Sequence, residues 1–227
     1  MIRVKNLSFG YGGGEIIKDV SLDIMPRELC ALIGPSGCGK TTFIKILSKI
    51  IKNFSGEICY ASERGADREF SIGYVPQNYG LLPWKSVEEN ICLPLRLRGE
   101  KGDIGPGAIG PVAESLEIDG LLKKYPRELS GGQKQRAALA RAILSARDLL
   151  LLDEPFSALD MLTAQKAQEL FLRVWSEHQV SALFITHNVY EAVNLAKRIL
   201  VMNRNGNIFE YTDMNEKDKL LNLFYNL

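Results

Sequence analysis

The sequence predicts an α/β fold, and three observations predict it. Short apolar runs with strand character alternate with amphipathic helical patterns, a glycine-rich loop joins one such run to a helix start, and a run of four leucines ends in two carboxylates. At 227 residues the chain is long enough for one sizeable core, or a core with a small appended lobe, and too short for two full domains.

The first third reads as strands over residues 2–9, 20–24 and 28–33, broken by the turn Gly12-Gly13-Gly14 and by Pro26. From Lys40 the pattern changes, with Phe43, Ile44, Leu47 and Ile50 spaced as one face of a helix. Further strands are expected over residues 56–60, 71–75, 149–153, 181–186 and 198–202, with another near Ile208. Ala164, Ala167, Phe171 and Val174 recur at helical spacing between two apolar strands, the arrangement of a parallel sheet. Residues 87–145 carry no strand signal and read as a mainly helical lobe. Its middle, residues 99–111, holds five glycines and two prolines and reads as a flexible connection. A short helical pattern over residues 217–225 ends the chain, with no large regulatory domain expected after it.

Composition excludes several functions. A net charge of +1 without a dense Lys/Arg block argues against nucleic acid as a partner. Cys30, Cys38, Cys59 and Cys92 show no Cys-x-x-Cys spacing, and Cys30 and Cys59 fall in apolar runs, as in a reduced cytoplasmic protein. Arg3 and Lys5 stand where a signal peptide needs apolar residues. No apolar run approaches the roughly 20 residues that cross a bilayer, so any membrane span must come from a partner.

The chemistry concentrates in three places. The loop Gly34-Pro35-Ser36-Gly37-Cys38-Gly39-Lys40-Thr41, followed by Thr42, fits G-x-x-x-x-G-K-[ST]. Its glycines let backbone N–H groups turn around phosphate oxygens at the positive end of the following helix, Lys40 reaches the β- and γ-phosphates of ATP, and the Thr41 hydroxyl ligates Mg²⁺. Leu149-Leu150-Leu151-Leu152-Asp153-Glu154 fits a strand buried on both faces, whose carboxyl end is where open α/β sheets place ligands. Asp153 reads as a Mg²⁺ partner and Glu154 as the base that polarises water for attack on the γ-phosphate; two solvated acids at a strand end are the simpler alternative. Leu129-Ser130-Gly131-Gly132-Gln133 precedes a helix with Ala137, Ala140, Ile143 and Leu144 on its apolar positions. Ser130 there is either an ordinary helix cap or part of a second anion-binding helix start.

In this order the motifs resemble the ATP-binding cassette (ABC) ATPases over nearly the whole chain. The resemblance implies a P-loop NTPase core with a mixed sheet, an N-terminal antiparallel β subdomain and an inserted helical lobe. The core would take residues 1–86 and 146–227, the lobe 87–145. It implies that Ser130, Gly131, Gly132 and Gln133 close on ATP held by a second copy of the chain, in an ATP-sandwich homodimer. Gln77 resembles the Q-loop glutamine, which the resemblance places among both the catalytic and the Mg²⁺-binding residues; Ser157-Ala158-Leu159-Asp160 resembles the D-loop and His187 the switch histidine. Tyr11 looks like the aromatic that stacks on adenine, with Phe9 as a rival. Read by themselves, Asp160 is also a helix cap, and His187 a surface residue before Asn188, itself a good cap.

The segment from Gln77 to Asn90, above all Leu81-Leu82-Pro83-Trp84, resembles the nitrate/sulfonate/taurine-type import ATPases of prokaryotes. That branch implies integral membrane permease subunits docked at the helical lobe, a solute-binding protein engaged indirectly, and residence at the cytoplasmic face of the membrane. An export ATPase is the alternative; soluble ABC ATPases of DNA or ribosomes would need a coiled-coil insertion or tandem cassettes. Two features depart from the importer pattern: Asn188 follows His187 where Asp is common, and the lobe carries a Gly/Pro-rich middle.

Overall fold

The computed structural model describes residues 1–63, 65, 69–98, 106–211, 220, 221 and 224. They form two compact units, residues 1–70 with 181–227 and residues 71–180.

The first unit opens with an antiparallel sheet of order β2-β1-β4, formed by β1 (Ile2–Tyr11), β2 (Gly14–Ile24) and β4 (Ser55–Tyr60). Both N-terminal strands run further than their apolar residues suggest, up to the glycine turn. In β1 the buried residues are Ile2 and Val4, then Leu7 and Phe9, so the alternation changes parity midway. The register against β2 shifts between Val4 and Leu7, where Asn6 adopts φ 48°. One extra residue there returns the apolar set to the core face. The irregularity is held by side chains: Asn6 Nδ2 donates to Asp19 Oδ1 at 2.7 Å and the Asp19 N–H donates to Ser8 Oγ at 2.9 Å.

The second sheet of this unit contains β3 (Leu29–Ile33), β7 (Ser181–Thr186), β8 (Arg198–Met202) and β9 (Ile208–Tyr211). β3 lies between β7 and β8 and is parallel to both, while β9 pairs antiparallel with β8, giving a mixed sheet. Every residue of β3 and β7 is buried, as continuous apolar runs require. Helix α1 (Lys40–Leu47) follows β3 after a six-residue loop, and α6 (Val189–Leu195) follows β7. Phe43, Ile44 and Leu47 are buried on α1 as expected, but Ile50 is 59% exposed. The helix stops at Leu47 because Lys49 turns left-handed at φ 63°, and the N–H groups of Ile50 and Ile51 close back on the Lys45 carbonyl at 2.9 and 3.1 Å.

In the second unit β5 (Ile72–Val75) pairs parallel with β6 (Leu149–Asp153). Among the described residues four helices accompany them: α2 (Val87–Leu97), α3 (Pro106–Ser115), α4 (Gly131–Ser145) and α5 (Met161–His178), with 3-10 turns at Asp119–Leu121 and Pro126–Glu128. Among the described residues 87–145 no strand occurs. The alanine-rich face of α4 packs on β5, α2, α3 and α5.

The expectation of a flexible connection over residues 99–111 is corrected in its second half. Residues 106–111 belong to α3, where Ile109, Val112, Ala113 and the following Leu116 are all buried at i, i+3, i+4, i+7 spacing. Packing of that face outweighs the weak helix propensity of glycine and proline. Residues 99–105 lie outside the described residues. So does most of the pattern over 217–225, of which Leu220, Leu221 and Phe224 are described and helical.

Candidate functional site

In the first unit, the loop Gly34–Gly39 leaves the end of β3 and starts α1. The chain passes so close to β8 that a Cβ on Gly34 would stand 2.3 Å from the Met202 carbonyl oxygen. Gly39, the residue before α1, has φ 115°, and a Cβ there would meet Ile16 at 2.7 Å and Met202 at 2.8 Å. Only glycine fits this combination of backbone and space. Among the described residues no side-chain cap closes the first turn of α1 and no acid lies within it, so no carboxylate of that turn opposes an anion at its positive end.

Lys40 is 6% exposed, and its Nζ donates to the carbonyls of Gly34 at 2.8 Å and Pro35 at 2.9 Å. The ammonium thus sits over the loop that it serves. Cys38 is buried beside it, Sγ to Nζ 3.9 Å, and burial pushes the thiol up while Lys40 pulls it down. Ser36 and Gly37 are exposed at the loop tip; Thr41 and Thr42 lie half-buried in the first turn of α1. Of the two aromatic candidates, Phe9 is buried, whereas Tyr11 is 56% exposed and meets the Phe9 ring edge-on at 4.9 Å. Only Tyr11 presents a face that a base can stack on. His187 is exposed at the end of β7, before the Asn188 cap of α6.

In the second unit, β6 delivers Asp153, 2% exposed, at its carboxyl end. The adjacent strand β5 supplies Tyr74, whose hydroxyl hydrogen-bonds Asp153 and is pushed up to about 12, by burial first and by the Asp153 charge second. Tyr74 is therefore a neutral donor to this carboxylate across the working pH range. Glu154 has φ 48°, uncommon for a residue with a side chain. Ser157 holds it there, its N–H and Oγ donating to the Glu154 carbonyl at 3.3 and 3.0 Å. The exposed Gln77 donates from Nε2 to Glu154 Oε2 at 3.4 Å, which brings these two predicted residues together.

Ser130 caps α4 through a reciprocal box: its Oγ accepts the Gln133 N–H at 3.3 Å and its own N–H donates to Gln133 Oε1 at 3.0 Å. Gly131 and Gly132 lie against Leu159, and Thr163 is 3.3 Å from where a Cβ of Gly132 would be. Asp160 caps α5 by accepting the Thr163 N–H at 3.1 Å, and the hydrogen bonds from Thr163 hold its carboxyl below the usual range. Both local capping roles are thus present in the structure.

Two side chains that sequence reasoning missed fix the segment after Gln77. Arg141 of α4 donates to the carbonyls of Tyr79 at 2.8 Å and Gly80 at 2.7 Å, and burial lowers its pKa. Asn90, fully buried in α2, accepts the Leu82 N–H at 2.7 Å and donates to the carbonyls of Leu82, Lys85 and Ser86. The loop they hold presents Trp84, 69% exposed. A polar residue on each helix's apolar face was the signal available in the sequence.

Residues 17–157 match the family model described as ABC transporter. The chain belongs to the ABC transporter family. It is an ATP-hydrolysing ABC subunit. This cassette is 38% identical over 198 residues to an aliphatic sulfonates import ATP-binding protein, SsuB, of Bacillus cereus, covering 87% of the chain and 78% of that protein. It is 37% identical over 220 residues to the taurine import ATP-binding protein TauB of Shigella boydii, covering 95% and 85%. Among solved structures it is similar to the dimeric bacterial ABC transporter cassette MJ0796, with a TM-score of 0.79 at 28% identity over 93% of this chain and 98% of that one. A putative metal-chelate type ABC transporter in an inward-facing conformation matches with a TM-score of 0.83 at 27% identity, over 100% and 88% of the two chains. The antiparallel β subdomain and the mixed sheet expected from the motifs are those of the cassette fold. Among the described residues no helix is long and apolar enough to cross a membrane.

Proposed function

We propose that this cassette works as a head-to-tail pair of identical chains at the cytoplasmic face of a membrane. There it drives uptake of a small sulfonate- or taurine-class solute through integral membrane subunits fed by a solute-binding protein. The main support is the 37% identity to a taurine import ATPase over 95% of the chain. Nitrate, which the motif pattern left open, is less favoured by the sulfonate and taurine relatives.

In this reading the backbone N–H groups of the loop from Gly34 to Thr41 hold the ATP phosphates, and Tyr11 stacks on the base. Lys40 turns its ammonium from the Gly34 and Pro35 carbonyls to the β- and γ-phosphate oxygens. Oxygen donors suited to Mg²⁺ are present in the Thr41 hydroxyl, the Gln77 amide and the buried Asp153 carboxylate. When bound, Mg²⁺ supplies positive charge at the β- and γ-phosphates. Glu154 polarises the attacking water with Gln77 at its side, and His187 supports the attack geometry. Ser130, Gly131, Gly132 and Gln133 approach the γ-phosphate of the partner's ATP, with Asp160 nearby. Loss of that phosphate lets the pair open, and the Trp84 loop carries the motion to the membrane subunits.

The test uses the cassette reconstituted with its membrane subunits in proteoliposomes. Wild type should couple phosphate release to accumulation of taurine or an alkanesulfonate. Glu154→Gln should keep ATP-dependent pairing and lower turnover at least about 100-fold. Wild-type turnover in that variant would overturn the role of Glu154; turnover without accumulation of either solute would overturn the substrate class.

A further inference from the structure

The exposed His187 stands beside a small set of hydrogen bonds that its catalytic assignment does not account for. Thr186, the last residue of β7, is 2% exposed and fixed in register opposite Ile33 of β3. Its hydroxyl donates to Glu191 Oε2 at 2.5 Å and accepts the Asn188 N–H at 3.0 Å. Asn188 in turn accepts, through Oδ1, the N–H groups of Tyr190 at 2.9 Å and Glu191 at 3.4 Å. The backbone is therefore tied on both sides of His187, by one hydroxyl whose single proton is committed to Glu191.

Glu191 is 9% exposed, and it lies in a helix whose other buried residues are Val189, Ala192 and Leu195. Packing alone would be met there by an apolar side chain, because an acid in such a place is unfavourable unless it is hydrogen-bonded. One bond that its carboxylate accepts comes from the residue immediately before His187.

We infer that Glu191 and Thr186 are positioning residues for His187: the buried carboxylate orients the Thr186 hydroxyl, and that hydroxyl fixes the direction in which the histidine leaves the strand. This rests on the switch role proposed for His187, and displacement of a group in such a role by about 1 Å is enough to cost on the order of 100-fold in rate. Thr186→Val keeps the side-chain volume and removes the hydroxyl. Glu191→Asp keeps the charge and withdraws it from the hydroxyl.

Each variant should lower kcat by about 10- to 100-fold while the Kd for ATP stays within about twofold, a split that general loosening would not give. Thr186→Ser and Glu191→Gln, which retain the donor and an acceptor, should recover most of the rate. In a His187→Ala background Thr186→Val should cost nothing more, because both changes remove one function. Additive losses in that double variant, or near-wild-type kcat in Glu191→Asp, would overturn the positioning role. Wild-type turnover in His187→Ala alone would instead overturn the role of the histidine, and the positioning with it. If Thr186→Val does not fold, Glu191→Asp against Glu191→Gln carries the test.

Discussion

The chain begins two helices on glycine-rich loops, and the structure builds the two starts in opposite ways. At α1 the capping position is Gly39, left-handed and without a side chain, and among the described residues no side-chain cap closes the first turn. At α4 the cap is Ser130, in extended conformation, and Ser130 and Gln133 satisfy one another through side chain and backbone. One start has no side-chain cap; the other is capped reciprocally. The difference matches a division of labour in which the α1 loop holds nucleotide within its own chain and the α4 loop, self-supporting, is offered to another chain's nucleotide. Glycines mark both loops in the sequence, and the capping residue, Gly39 against Ser130, is where their helix starts differ.

The comparison breaks most visibly at Lys40. Its ammonium is buried over the loop, where among the described residues its hydrogen-bond neighbours are backbone carbonyls and a thiol and no carboxylate, as the proposed phosphate role requires. Lys40→Ala should raise the Kd for ATP at least about 100-fold, equivalent to about 3 kcal/mol, by calorimetric titration. Unchanged affinity would mean that the loop is only a turn.

Ser130→Ala tests the other start and should give a smaller, divided effect. Loss of the cap should lower thermal stability by about 1 kcal/mol, with ATP affinity of the isolated chain unchanged. Turnover of the pair should fall by about tenfold, the scale of one hydrogen bond to a charged group. Mixing Ser130→Ala with Lys40→Ala then separates the roles. A mixed pair holds one site with an intact phosphate loop and an intact Ser130, so the mixture should exceed the summed activity of the separate variants. No gain on mixing would leave Ser130 a cap and nothing more.

What the sequence made legible follows from range. Residues 149–153, 181–186 and 198–202 were read with their observed limits because an unbroken apolar run admits few alternatives. The phosphate loop was legible because its chemistry is written in consecutive residues. The fixing of the site was not, since it joins positions far apart in the chain: Arg141 to Tyr79 and Gly80, and Tyr74 to Asp153. Such bonds leave no period and no spacing. Residues 106–111 misled for the opposite reason, as local glycine and proline signals were overruled by the buried face of Ile109, Val112, Ala113 and Leu116.

The smallest effect lies just behind the α4 start and sharpens the contrast within one helix. Gln133 has its amide oxygen in the capping box, whereas Gln135, two residues on, is fully buried with neither Nε2 nor Oε1 hydrogen-bonded among the described residues. A buried amide without partners costs about 1–3 kcal/mol, and leucine has similar bulk and good helix propensity. Gln135→Leu should therefore raise the stability of the isolated chain by about 1 kcal/mol, a shift of about 2–4 °C in Tm for a chain of this size. Gln133→Leu, which opens the capping box, should lower it. Differential scanning of the two variants reads opposite signs from the same substitution; a fall in Tm for Gln135→Leu would mean that the buried amide is satisfied in solution, by an internal water or a rotated neighbour, and that α4 is locally complete along its length as well as at its start.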